Sequence, residues 1–226
     1  MFTHKNLDLK APTLTQVTGT NERHYVTEQG GKYPSVTTVL SEYGREAIQE
    51  WRIRVGAEEA NKITRRASTR GTKIHKYCEE YLDNKELVFT NPLHAQTFND
   101  FKPLLNRIDN IYAQELRMYS DHLRMAGTVD CVAEFDGKLT IIDFKTAAKP
   151  KDKEKIENYF MQCSAYAIMF EELFKIPVNR IAILIAVDDH EPQLFIEKRD
   201  NYVEKLIYYR DLYESRLPTG GSTDKN

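Results

Sequence analysis

Two short runs carry the residues best suited to chemistry, Gly127-Thr128-Val129-Asp130 and Asp143-Phe144-Lys145, with twelve residues between the two aspartates. On a strand, residues two apart share a face, so Asp143 and Lys145 point the same way and Phe144 points into the opposite layer. A lone D-x-K is most often a surface ion pair where a strand emerges. The Asp136-Gly137 dipeptide between the two runs changes that reading, because it is a tight-turn signal. A hairpin folded about it brings Asp130 and Asp143 to equal distances from the turn, as near cross-strand neighbours. Like charges so placed are destabilising unless something neutralises them. A hard divalent cation, Mg²⁺ or Mn²⁺, does so with oxygen ligands and partial hydration. With Lys145 on the same face, these are the parts of metal-assisted phosphodiester hydrolysis, in which the cation polarises the phosphate and the ammonium orients water and stabilises developing charge.

Positioning those groups requires a hairpin and something packed behind it. Residues 115–146 alternate and are rich in Val, Ile, Thr and Phe, which predicts strands over 114–122, 125–135 and 138–145. Upstream, Arg23–Thr27 with a turn at Gly30-Gly31 and Tyr33 reads as a hairpin, and Ser35 as the cap of a short helix ending near Gly44. Residues 45–85 read as helical with a break at Ser68–Gly71, and 93–112 as a helix carrying Phe98, Phe101, Leu105, Ile108 and Tyr112 on one stripe. A long amphipathic helix is predicted over 152–174, a strand buried on both faces over 180–187, a short strand over 193–197 and a last helix over 201–216. The economical architecture is α/β: one mixed central sheet flanked by helices, with an N-terminal helical region. The chain reads as a single domain over 1–226, with a mainly helical part over 1–113, a sheet-containing part over 114–217 and a polar, mobile tail over 218–226.

Composition sets the outer bounds. Of 226 residues, 41% are hydrophobic and 29% charged, as in ordinary globular proteins. No apolar run approaches a membrane span, and the first twenty residues lack both a signal core and the Arg-rich character of a transit peptide, so the expected compartment is the cytoplasm of a bacterium or phage-infected cell. Cys78, Cys131 and Cys163 are widely spaced with no C-x-x-C pair, which disfavours a disulfide scaffold, a zinc knuckle and an iron–sulfur cluster; they read as small packing residues.

The pattern G-x-x-D, twelve residues, D-x-K resembles the PD-(D/E)XK nuclease superfamily in its RecB-like exonuclease branch, which has a restriction-endonuclease-like core. Further motifs of that branch follow its order: Ser35-Val36-Thr37-Thr38 resembles its S-V-T segment, Arg70-Gly71-x₃-His75 its G-x-x-x-H helix, and Gln162-x₃-Tyr166 its Q-x-x-x-Y helix. Within the branch the chain looks most like the mitochondrial genome maintenance exonucleases and their phage relatives. The resemblance covers about Tyr33 to Tyr166. It implies Asp130, Asp143 and Lys145 as catalytic residues. It also implies a metal held by Asp130 and Asp143, with His75, Glu115 and the Phe144 backbone carbonyl beside it. It implies no iron–sulfur cluster, since that subset of the branch needs four cysteines. For the substrate it implies DNA, with replication or recombination proteins as partners; any helicase motor would be a separate chain, because no Walker A motif is present.

The overall charge of −2 conceals two basic stretches. Residues 45–76 hold nine Lys or Arg against four acids, and residues 145–155 hold five Lys against two. Runs of this kind are usually solvated faces. Here both adjoin the candidate catalytic elements and suit the wall and rim of a single-strand channel. The candidate DNA contacts are Ser35, Thr37 and Thr38, which either cap a helix or bind a phosphate, together with Arg70, Lys73, Lys149, Lys151, Gln162 and Tyr166. Trp51 is either a stacking platform or ordinary core.

Overall fold

The computed structural model describes residues 1–5, 10–19 and 22–217, so the predicted tail over 218–226 lies outside the described residues. Period-2 patterning produces a five-stranded sheet in the order β4 (Ile108–Ser120), β5 (Met125–Phe135), β6 (Lys138–Ala147), β7 (Arg180–Val187), β8 (Gln193–Lys198). β6 and β7 pair in parallel and the other neighbours antiparallel. The parallel pair is possible because α5 (Glu157–Phe174) crosses between them. On β7 the two faces separate cleanly. Ile181, Ile183, Ile185 and Val187 join the core under α5, while Ala182, Leu184 and Ala186 join the core under α3 (Ala57–Leu82) and α4 (Pro92–Leu105). The mixed sheet flanked by helices is therefore the architecture expected.

The N-terminal region departs from expectation in three places. A second sheet, β1 (Leu14–Thr18), β2 (Arg23–Thr27) and β3 (Lys32–Pro34), contains the predicted hairpin and one further strand. β1 has only Leu14 buried, so its sequence carries little apolar signal. The helical stretch after α1 (Val36–Val39) is broken at Gly56, not at Ser68–Gly71, and separates α2 (Arg45–Val55) from α3. Gly56 has φ 85 and ψ 147, a conformation closed to other residues. A glycine at 71 costs the helix about 1 kcal/mol, a loss the buried stripe Ile74, Tyr77, Cys78 and Leu82 outweighs.

α4 stops at Leu105, and β4 begins at Ile108, well before 114. Asn110 has φ 46 and the β4–β5 register shifts between Asp109 and Ala113. That bulge turns both Ile108 and Ile111 into one core layer, three residues apart on a strand, which imitates helical spacing.

The turn after α1 and the end of the last helix meet at Glu42. Its side chain is 1% exposed and ion-pairs with Arg45 and with Arg216, just past α6 (Val203–Ser215). Replacing Glu42 with Gln should cost about 1–3 kcal/mol, since charge-assisted bonds to a buried carboxylate are lost. A lowered urea midpoint with an unchanged m value is the expected result.

Candidate active site

The site lies where β5 and β6 part. Their antiparallel register ends at the pair Cys131–Ile142, so the next pair in line would be Asp130 with Asp143, as the turn arithmetic predicts. The ladder is replaced there by a side chain: the Phe144 N–H donates to Asp130 Oδ2 at 2.8 Å. β4 is distorted at the same level. Glu115 follows Gln114, the partner of Cys131, and has φ 49, a left-handed conformation uncommon for Glu. Across this point the two-residue alternation slips, since Val129 packs under α5 and Cys131 under α3. The slip turns a core strand outward at Asp130.

Helices reach the fork from both faces of the sheet. From α3, His75 places Nδ1 3.5 Å from Asp130 Oδ2, and its ring meets the Phe144 ring edge-on at 6.2 Å. From α5, the Gln162 amide nitrogen donates to Asp143 Oδ1 at 3.0 Å, while the Gln162 oxygen accepts from Lys145 Nζ at 3.4 Å. Lys145 Nζ ion-pairs with Asp143 Oδ2 and lies 5.0 Å over the Tyr159 ring. The Gln162 amide nitrogen also lies 3.4 Å from the Tyr166 hydroxyl. Tyr166 in turn presses on β5: a Cβ added to Gly127 would stand 2.6 Å from its ring. The glycine of G-x-x-D and the tyrosine of Q-x-x-x-Y are thus two halves of one close approach.

Burial and crowding set the charges. Burial opposes the Asp130 carboxylate, but His75, Lys145 and the Phe144 N–H hold its pKa below the usual range. Asp143 is pushed up, because burial and Asp130 outweigh the attraction of Lys145. Lys145 is raised despite burial, by Asp143 and Asp130, so it stays an ammonium. His75 is likewise raised against its burial by Asp130. Glu115 is pushed up to about 7 by partial burial, with Asp130 and Glu79 adding to the effect.

The donor set suits a hard divalent ion. Asp143 Oδ2 is buried and faces Lys145 as an ion pair, yet has no hydrogen bond donor aligned on it. Among the described residues, no three His, Cys, Asp or Glu side chains form a ready-made cage. A sparse set of carboxylates with room for water is how Mg²⁺ is usually held.

The remaining predicted residues divide. Ser35, Thr37 and Lys73 line the same cavity of about 660 Å³ as Asp130, Lys145, Gln162 and Tyr166. Ser35 Oγ caps α1 by accepting from the Thr38 N–H at 3.0 Å, and Thr38 Oγ1 donates to the Arg23 carbonyl. Arg70 is not among the residues lining that cavity; it ion-pairs with Asp188, at the far end of β7, and ties α3 to the sheet. Trp51 is on α2 and is not among the lining residues. Lys149 and Lys151 are exposed on the loop after β6, where Lys151 is fixed through its backbone to the Gln193 side chain. Cys78, Cys131 and Cys163 are free, buried thiols within the two core layers. Gln16, Arg23 and Tyr25, which also line the cavity, were not anticipated, because they come from the weakly patterned β1 and β2.

The chain belongs to the PD-(D/E)XK nuclease superfamily, whose model matches residues 37–200. Among curated proteins, the mouse mitochondrial genome maintenance exonuclease 1 is 28% identical over 179 residues, 73% of this chain and 52% of that one. The human counterpart is 27% identical over 175 residues, 70% of this chain and 50% of that one. The chain therefore spans about half the length of the curated relatives it matches. A solved structure of a candidate exonuclease from Eubacterium rectale has a TM-score of 0.49 at 15% identity, covering 66% of this chain and 65% of that one, too weak a likeness to argue from. Among the described residues, no helix is long and apolar enough to cross a membrane.

Two outcomes follow from this geometry. Gly127→Ala should destabilise by about 1–3 kcal/mol through overpacking. Combined with Tyr166→Ala it should cost less than the sum of the two, as a double-mutant cycle in urea would show. Glu115→Gln should stabilise the metal-free protein at pH 8, by no more than about 1 kcal/mol, because solvent still reaches Glu115 and screens it. The sign follows from the raised pKa: wild-type stability falls as pH rises from the unfolded value of about 4.5 through the folded value of about 7. Melting curves of the two proteins in EDTA should therefore converge by pH 4.

Proposed function

We propose that this chain is a divalent-metal-dependent DNA exonuclease acting on single strands or free ends. The observation that carries the reading is the fork at Asp130 and Asp143, with Lys145 on the same carboxylate. A bound Mg²⁺ or Mn²⁺ ion would supply Lewis-acid charge and lower the pKa of water. Asp130 and Asp143 are the residues that would hold it, with Glu115 and the Phe144 carbonyl as further oxygen donors and His75 beside Asp130.

The chain's own groups do the positioning. Lys145 is held as an ammonium by Asp143 and the Tyr159 ring, so it serves as a fixed positive donor toward a phosphate oxygen or the attacking water, not as a base. Gln162 keeps Lys145 and Asp143 in one register by bonding both. His75 holds Asp130 from the α3 side. Hydrolysis forms a bond from the water oxygen to phosphorus and breaks one ester bond, whose oxygen leaves with a proton. The end of a strand would lie in the cavity of about 660 Å³ that Asp130 and Lys145 line. Any replication or recombination partner would meet the protein outside this cavity.

Asp143→Ala and Lys145→Ala should each reduce cleavage of end-labelled single-stranded DNA in Mg²⁺ by at least about 100-fold, the scale of losing one charge stabiliser in a preorganised site. Circular single strands should resist. Circles cut as fast as linear strands would contradict the exonuclease reading, and full activity in either variant would contradict the site.

A further inference from the structure

We propose that the β1–β3 sheet is a substrate-gripping wall of the site, in which Arg23, together with Lys73 of α3, holds a backbone phosphate of single-stranded DNA beside the one cleaved. This inference rests on the nuclease reading above and adds to it a binding subsite from a separate element.

Register places the wall. Gln16 and Tyr25 are cross-strand partners, so they share a face, and Arg23 lies two residues before Tyr25 on that same face. All three line the cavity that contains Asp130 and Lys145. The sheet is fastened close to the fork. Tyr25 is 1% exposed, and its hydroxyl is 3.2 Å from Thr128 Oγ1, two residues before Asp130. Arg117 on β4 donates to the Leu14 carbonyl at 2.9 Å. The Arg23 backbone is held on both sides: its carbonyl accepts from the Ser35 N–H at 2.8 Å, and its N–H donates to Thr38 Oγ1 at 3.1 Å. Its side chain is left exposed at the rim.

Charge completes the argument. Most basic groups around the site are already committed: Lys145 to Asp143, Lys76 to Glu79 and Glu80, Arg70 to Asp188. Among the described residues, Arg23 and Lys73 line the cavity with no carboxylate within ion-pair distance. The cavity also exposes Asp130, Glu115 and Glu79, so it would repel a polyanion unless cations on its rim met the chain first. A guanidinium on a fixed backbone is suited to a bidentate phosphate contact, and an ammonium to a second, less directional one.

The test is equilibrium binding of a dye-labelled single-stranded oligonucleotide to the whole chain in EDTA, by fluorescence anisotropy across a salt series, beside cleavage by the wild type in Mg²⁺ and Mn²⁺. One lost phosphate contact lowers the slope of log K against log salt by about 0.7 for a single strand. Arg23→Ala should show that drop with several-fold weaker binding, Arg23→Glu a larger loss, and Arg23→Lys a slope near wild type. Melting curves should show all three folded, as the exposed side chain predicts. Wild-type slope and affinity in both the Ala and Glu variants, with the wild type still cleaving, would overturn the clamp and leave the nuclease reading standing. Binding that shows the slope change without any cleavage by the wild type would support the clamp and overturn the catalytic reading.

Discussion

Two carboxylates at the mouth of a diverging hairpin are the constraint around which the rest is arranged. Asp130 and Asp143 fall at the first position past the end of the β5–β6 ladder, where backbone pairing would otherwise continue. Such crowding costs energy unless positive charge is supplied. In the protein alone, Lys145 supplies it to Asp143, and His75 faces Asp130. On the proposed nuclease reading, the groups that offset this crowding are also those that would face the substrate.

The helices follow from that need. α3 and α5 lie on opposite faces of the sheet, yet both reach the fork because the β5–β6 ladder stops there, while β4–β5 and β6–β7 go on pairing to either side. α3 brings His75 and is moored by Arg70 to Asp188. α5 brings Gln162, which bonds Lys145 and Asp143 together, and Tyr166, whose ring occupies the space a side chain at 127 would fill. The left-handed Glu115 and the slipped alternation from Val129 to Cys131 are local departures from regular strand, and they occur only where the site needs carboxylates turned outward.

Much of this was legible from residue order. The hairpin register follows from Asp136-Gly137 alone, and the buried β7 and the crossover helix follow from their apolar patterns. Three features were not legible, each for a physical reason. The β4 bulge spaces Ile108 and Ile111 like a helix, so periodicity placed a helix end too late. The pause at Gly56 and the continuity through Gly71 depend on backbone dihedral angles and on packing against the sheet, neither of which residue type reports. Arg23 and Gln16 come from short polar strands whose burial is confined to Leu14 and Tyr25. Arg70 shows what residue type leaves out: a basic residue in a basic helix reads as a phosphate contact, while the fold also pairs its guanidinium with Asp188.

On the proposed reading, a divalent ion completes the Asp130–Asp143 fork. A ligand that binds the folded state raises the melting temperature in proportion to the logarithm of its concentration above Kd. The decisive measurement is therefore the melting temperature of the wild type and of Asp143→Asn, each titrated with Mg²⁺ against EDTA. Mg²⁺ should raise the melting temperature of the wild type, and Asp143→Asn should abolish that rise. An equal rise in both proteins, or none in the wild type, would contradict the proposed reading.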